Sequence, residues 1–469
     1  MLIKRSCSID PSSRSDPQAA AKLVVLPIKH EKAAGIDVGD VTHWVCLDAD
    51  GGDQAVREFP AHTPGLRELV QWLRHHGVTT VALEATGAYG QVLFLTLLEA
   101  GFHTIITSPK FTRQIQGRPK TDRRDCQWIQ RLHRHGLLPS VFQPDEATQT
   151  LRDFVRQRAN LVRLSSHHIQ RMQKALILMN LKLSTVVEDI TGQTGLRIIR
   201  AIIAGERDPA KLAQLRDRRC KKSEAEIAQA LDGRYREEHL LELRCCFDLW
   251  EQYLLMIARV DQSIAGQLER MKKTSELPPL PTRKWVRGRR PHDPGFDVRL
   301  ALYLMLGIDL TAMEGLDELN ALTLVSELGT DMTKWPTVKH FTSWLGLCPN
   351  FKKTGGKVKS SHTRRGKGRA AYTFRLAAWS LMRSKGYLGA FLRRQRSRLG
   401  APKAITATAH KLARIFYTML RQGVDYVKRS EAEFTEQHRK KMEQNLQRRA
   451  REMGYELVKK ADPPTAELV

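Results

Sequence analysis

The tightest constraint on this chain is the succession of short apolar segments between residues 33 and 107. Ala33-Ala34-Gly35-Ile36-Asp37-Val38 reads as a strand, Gly39-Asp40 as a turn, and Thr42-His43-Trp44-Val45-Cys46-Leu47 as a second strand. Asp50-Gly51-Gly52 is another turn signal and leads to a third strand at about residues 55–59. Pro64 opens a helix with Leu66, Leu69, Val70 and Leu73 on one face. Residues 78–83 form an apolar run of the kind found in a parallel strand covered on both sides. Residues 92–100 read as helix, 102–107 as strand and 120–135 as helix. Three hairpin-like strands followed by alternating helix and strand require a mixed α/β sheet. Periodicity alone does not separate one such fold from another.

Four carboxylates narrow the choice. Asp37 lies near the end of the first strand and Glu84 follows the apolar run of the fourth. Asp122 and Asp125, three apart at a helix start, share one face. In a ribonuclease-H-like sheet the first and fourth strands are parallel neighbours, so Asp37 and Glu84 converge at one edge. Oxygen ligands of this kind suit Mg²⁺, and two ions about 3.5–4 Å apart can hold the attacking and leaving oxygens of an in-line phosphoryl displacement. Singly, each residue has a plainer reading. Asp37 stands in a glycine-flanked turn sequence, and Asp122 is a favourable charge at a helix N-terminus. The combination of strand position, order and a Lys-Thr-Asp-x-x-Asp helix start is far more specific.

The rest of the chain is helical. Between residues 147 and 275, Val155, Val162, Ile169 and Leu176 recur every seven residues. Leu151, Met172 and Met179 lie on a second row that Arg158 and Ser165 interrupt. Trp250, Leu254, Ile257, Ile264, Leu268 and Met271 form another stripe, so two long helices can pair antiparallel or across a dimer. A basic, helix-rich insertion occupies residues 191–240. The expected divisions are a leader without fixed structure (1–30), an α/β domain (31–146), a coiled-coil region with insertion (147–275) and a proline-rich basic linker (276–297). A helical C-terminal domain (298–424) and a basic helical tail (425–469) follow, with Arg439-Lys440-Lys441 and Arg448-Arg449 in the tail.

Charge points to a polyanion. Lys and Arg number 77 against 50 Asp and Glu, a net +27, and nucleic acid is the commonest partner of such a chain. A membrane surface is the rival, but no apolar run is long enough to span a bilayer. Charge alone also fits a basic scaffolding protein. The seven cysteines are scattered without a Cys-x-x-Cys pair, and the first 26 residues lack a secretory apolar core. A reducing, cytoplasmic setting is expected.

Three blocks carry a resemblance: Gly35-Ile36-Asp37-Val38-Gly39, Leu83-Glu84-Ala85-Thr86-Gly87-Ala88-Tyr89 and Lys120-Thr121-Asp122-Arg123-Arg124-Asp125. They resemble the signatures of DEDD-type transposases of the insertion-sequence family numbered one hundred and ten, whose members are bridge-RNA-guided recombinases. The likeness continues in Gly315-Leu316-Asp317 through Leu324-Val325-Ser326-Glu327-Leu328-Gly329, which resembles the family's helix-hairpin-helix-like segment. It also covers Phe341-Thr342-Ser343-Trp344-Leu345-Gly346-Leu347-Cys348-Pro349 with Gly355-Gly356-Lys357, so that residues 33–135 and 300–420 take part. The resemblance implies a RuvC-like N-terminal domain that binds Mg²⁺ through Asp37, Glu84, Asp122 and Asp125, and a mainly helical C-terminal transposase domain. It further implies action on element ends and target DNA, a structured guide RNA, and a homodimer or homotetramer built as a dimer of dimers.

The family's C-terminal serine attacks DNA to give a covalent phosphoseryl intermediate. Here that position is Thr354, a departure from the pattern. Threonine keeps the hydroxyl but adds a methyl that crowds in-line attack. Ser360 and Ser361 are alternatives, and a plain loop threonine is the bland one. Around it stand Lys352, Lys353, Lys357, Lys359, Arg364, Arg365, Lys367 and Arg369, a cluster suited to phosphates. Phe351 and Tyr372 are interleaved aromatics that read more as core packing than as base-stacking groups. Beside transposition stand a RuvC-like nuclease using metal-activated water and a decayed copy that only binds nucleic acid.

Overall fold

Ala33–Val38 (β1) is buried on both faces except at Asp37, which is half-buried, and takes the middle of a five-stranded sheet. In this computed structural model the described residues are 26–84, 87–112, 121–272, 277–282, 292–364, 368–423, 425–456 and 458. They divide into two compact units, residues 1–143 and 144–469.

In the first unit β1 is followed by Thr42–Cys46 (β2) and Val56–Pro60 (β3), then helix Thr63–His75 (α1). Thr80–Glu84 (β4), Tyr89–Glu99 (α2), His103–Thr107 (β5), the single turn Pro109–Thr112 (α3) and Asp122–Arg134 (α4) complete it. The sheet order is β3-β2-β1-β4-β5, with β1–β2 and β2–β3 antiparallel and β1–β4 and β4–β5 parallel. Every element expected from the apolar pattern is present, within a few residues at each end. The short α3 was not anticipated.

The register Ala34↔Val81, Gly35↔Ala82, Ile36↔Leu83 sorts side chains by face. Ala34, Ile36, Val38, Val81 and Leu83 join Leu66, Leu69, Leu73, Leu93 and Leu97 in one core under α1 and α2. The opposite face carries Gly35, Ala82 and, two residues on, Asp37 and Glu84. Helix α4 covers that face, with Ile129 packed on Ala82. Upstream, residues 27–30 fall in the expected leader yet are tied down. Lys29 and His30 donate backbone hydrogen bonds to Arg134 O, and His30 stacks on His133.

The second unit begins with the 33-residue helix Glu146–Leu178 (α5), capped by Asp145, which accepts from Thr148 N at 2.9 Å. Leu183–Val186 (α6), Gln193–Ala204 (α7), Pro209–Ala213 (α8) and Glu224–Leu231 (α9) follow, and the 34-residue Glu237–Arg270 (α10) returns along α5. The pair is antiparallel within one chain: Gln267 Nε2 donates to Ala147 O, and Arg171 bonds Glu242. Helices α6–α9 close over one end of the pair, around Ile198, Ile199, Ile202, Leu212 and Trp250.

The two expected rows of α5 are buried unequally. Val155 and Leu176 are buried but Val162 and Ile169 only half-buried, whereas the row interrupted by polar residues, Leu151, Arg158, Ser165, Met172 and Met179, is buried throughout. The interruptions are satisfied inside. Arg158 Nε donates to Asp261 Oδ1 at 2.5 Å and its Nη2 to His292 O at 2.7 Å, while Ser165 Oγ lies 2.9 Å from His292 Nε2. Burial and the nearby guanidinium lower the His292 pKa, which keeps the ring neutral in this network.

Of the expected linker, residues 277–282 and 292–297 are described and hold no helix or strand; the others lie outside the described residues. Val298–Leu306 (α11), Glu318–Leu328 (α12) and Val338–Trp344 (α13) lead to a small hairpin, Lys352–Thr354 (β6) with Lys357–Ser360 (β7). Arg369–Ser380 (α14), Tyr387–Leu399 (α15), Ala401–Gln422 (α16) and Asp425–Glu452 (α17) finish the chain. Among the described residues, no helix is long and apolar enough to cross a membrane.

Candidate functional site

Asp37 and Glu84 follow the paired residues Ile36 and Leu83 by one position each, so they stand at the same level of the parallel β1–β4 pair and on its α4 face. Helix α4 runs antiparallel to β1. Near its C-terminal end His133 Nε2 lies 2.9 Å from Thr80 Oγ1 and Gln130 Nε2 donates to Ala33 O, at the start of both strands. Nearer its N-terminal end Cys126 lies beside Asp37. The Cys126 thiol pKa is driven far up by hydrogen bonding with Cys46, by burial, and further by the Asp37 charge. The first turn of α4, which carries Asp122 and Asp125, is thereby directed to the carboxyl end of the sheet, where Asp37 and Glu84 lie.

Local sequence explains that placement. Thr121 caps α4 by accepting from Arg124 N at 3.3 Å, which starts the helix at Asp122. Gly35 lets the helix approach: a Cβ there would lie 2.2 Å from Gln130 N and 2.6 Å from Cys126 O. Glu84 accepts a hydrogen bond from Thr112 Oγ1 at 2.5 Å, and Trp128 Nε1 donates to Thr112 O at 2.9 Å, so α3 and α4 brace its carboxylate. Asp37, Glu84 and Asp125 are half-buried and Asp122 is exposed. The three segments share one edge. Among the described residues, however, no three His, Cys, Asp or Glu side chains are drawn together closely enough to hold a metal ion in this conformation. As a donor set, four carboxylates at the open edge of a sheet fit a hard cation that keeps several waters, and they do not fit a soft metal.

The second candidate region is the β6–β7 hairpin. Gly355 and Gly356 have φ of 54° and 74°, the left-handed pair that a two-residue hairpin turn demands. Thr354 precedes the turn and pairs with Lys357 across it. Thr354, Lys352, Lys353, Lys357 and Lys359 are exposed, as are Arg364 and Arg369 beyond the hairpin. Arg365 and Lys367 lie outside the described residues. Ser361 is exposed, while Ser360 is half-buried and its Oγ accepts from His362 N at 3.3 Å.

Two features escaped the sequence reading. Phe351 and Tyr372, read there as core residues, are both solvent-exposed. From residue 332 to residue 424 the chain carries no Asp or Glu against 21 Lys and Arg, a signal that was open to inspection but averages out in the whole-chain charge.

Comparison with known proteins bears on both regions. Residues 34–180, which include all four carboxylates, match a family model described as transposase, of the DEDD kind named for IS110. Residues 309–393, which include the hairpin and α14, match the transposase family IS116/IS110/IS902. The chain is 28% identical over 151 residues to the y4qE protein of Sinorhizobium fredii, which bears a transposase name, covering 31% of this chain and 39% of that one. It is 32% identical over 128 residues to the 43.6 kDa protein of insertion element IS110 from Streptomyces coelicolor, covering 26% of this chain and 31% of that one. The matched stretches thus span 39% of the first relative and 31% of the second, well under half of either. The carboxylate unit and the hairpin region are each matched by a model of the same kin, so over these two regions the chain is of the IS110-type family of DEDD transposases.

Proposed function

We propose that this protein is a transposase that excises and inserts a DNA element by transesterification, through a covalent protein–DNA intermediate. The observation that carries the reading is the parallel β1–β4 register combined with the antiparallel run of α4, which sends Asp37, Glu84, Asp122 and Asp125 to one edge of the sheet. The β3-β2-β1-β4-β5 order supports a ribonuclease-H or RuvC-like assignment for this unit. Asp37, Glu84, Asp122 and Asp125 would hold Mg²⁺, two ions in our reading. Bound there, the metal supplies charge stabilisation for phosphoryl oxygens.

The chain's own chemistry rests on the hairpin. The Thr354 hydroxyl gives up its proton and Oγ1 attacks phosphorus; the new P–O bond forms as one strand oxygen leaves and is protonated to a free hydroxyl. A strand hydroxyl then attacks the phosphothreonine, which restores the phosphodiester and the threonine hydroxyl without net hydrolysis. Lys352, Lys353, Lys357, Lys359, Arg364 and Arg369, with Arg365 and Lys367, neutralise the backbone phosphates. The guide would be a structured RNA from the same locus, and the working form a homodimer or homotetramer.

Trapping on a suicide DNA substrate, with mass spectrometry of the linked peptide, tests this. Thr354→Ala should abolish adduct and strand exchange, while Thr354→Ser, which removes the crowding methyl, should preserve or raise both. An adduct on Ser360 or Ser361 would move the nucleophile. Strand cleavage by Thr354→Ala at the wild-type rate, without adduct in wild type, would replace transesterification by hydrolysis.

A further inference from the structure

Helix α14 has two unlike faces. Ala370, Ala371, Thr373, Phe374, Ala377 and Ala378 are buried. On the other side stand Arg369, Tyr372, Leu376, Trp379 and, just past the helix, Arg383, all exposed. The aromatics are strongly so: Tyr372 is 61% and Trp379 63% exposed. An exposed Tyr–Leu–Trp stripe carries a standing cost in water unless something covers it.

We propose that this face of α14 is a stacking platform for the unpaired bases of single-stranded DNA, an inference that rests on the DNA-acting reading above. Charge selects the occupant. The stripe is bracketed by two arginines and lies inside the stretch from 332 to 424 that has no carboxylate at all. A second copy of the same surface would bring like charge against like, whereas a phosphate backbone is complementary. Geometry selects the unpaired form. Tyr372 and Trp379 are seven residues apart, about 10.5 Å along the helix axis, close to three base steps of about 3.4 Å. Ring faces on a convex helix can meet base faces only where those are not already stacked in a duplex. Base–aromatic stacking tolerates any sequence, since every base has a π face. Arg369 and Arg383 would take the phosphates at either end.

The test uses the full chain and a labelled oligonucleotide of about 12 nucleotides, single-stranded or as the same-sequence duplex, read by fluorescence anisotropy across a salt series. Trp379→Ala should weaken single-strand binding roughly 5- to 150-fold, the equivalent of stacking worth about 1–3 kcal/mol. Duplex affinity should stay within about twofold, and the salt slope should be unchanged because no phosphate contact is lost. Trp379→Phe, which keeps a ring, should lose less than the alanine variant. Unchanged single-strand binding, or equal losses on single strand and duplex, overturns the platform. A change in mass by light scattering with unchanged DNA binding assigns the face to a protein partner and overturns it too. A loss confined to a single-stranded RNA of the same sequence overturns the choice of DNA. A wild-type chain that binds neither DNA form refutes the transposase reading itself.

Discussion

Gly35→Ala is the most searching test of how this fold builds its candidate site. The added methyl would sit 2.2 Å from Gln130 N, 2.6 Å from Cys126 O and 2.6 Å from Gln130 Cα. These are main-chain atoms of α4, so no side chain can swing aside. Carbon contacts settle at about 3.5–4.0 Å, so the helix must withdraw by more than about 1 Å or the strand must bend. Overpacking of well-filled interiors costs about 1–3 kcal/mol, occasionally more, and a clash with backbone belongs at the upper end. The shift also carries Asp122 and Asp125 away from Asp37 and Glu84. A displacement of about 1 Å at a catalytic group costs on the order of a hundredfold in rate. Hydrogen exchange measured by mass spectrometry should show α4 and β1 amides losing about 3 kcal/mol of protection, with strand cleavage down roughly a hundredfold. Gly266→Ala on α10 is the control. Its Cβ meets nothing nearer than a flexible arginine tip at 4.0 Å. That variant should be neutral or stabilise by up to about 1 kcal/mol through helix propensity. Wild-type protection of α4 together with wild-type cleavage in Gly35→Ala would refute the close-approach argument.

Further expectations concern the buried polar groups and the hairpin. Asp261→Ala strands the Arg158 guanidinium inside the α5–α10 pair and should cost about 3–5 kcal/mol, whereas Arg158→Met with Asp261→Leu together should restore most of it in denaturant unfolding. His133 is held neutral, its pKa lowered from 6.5 to about 4 by burial and then by the neighbouring His30 and His103. The unfolded chain therefore binds the extra proton, and stability present above pH 6.5 should drain away as pH falls through 4, by at most about 3 kcal/mol. His133→Gln should flatten that slope; an unchanged slope would remove His133 as its source. Gly355→Val forces a β-branched residue into left-handed backbone and should reduce adduct formation at Thr354 while leaving the exchange protection of α4 unchanged.

What the amino-acid order determined alone is local. Thr121 caps α4 at Asp122, Pro64 and Asp145 mark where α1 and α5 begin, and the paired glycines after Thr354 require a tight turn. These are decided by atoms within a few residues of one another, which is why they are legible without a structure. The placement of Asp37 beside Glu84 was foreseen only through the resemblance to a known sheet order, because a register between strands some forty positions apart has no local signature. That the polar-interrupted row of α5 is the more deeply buried one has no local signature either. Counting apolar residues favours Val155, Val162, Ile169 and Leu176, of which Val162 and Ile169 are only half-buried, while Arg158 and Ser165 lie inside, because Asp261 and His292 arrive from distant positions to satisfy them. Tyr372 likewise reads as a core residue until α14 turns its alanines inward and leaves the ring in water. Burial is a property of partners, and the partners are chosen only when the whole chain has folded.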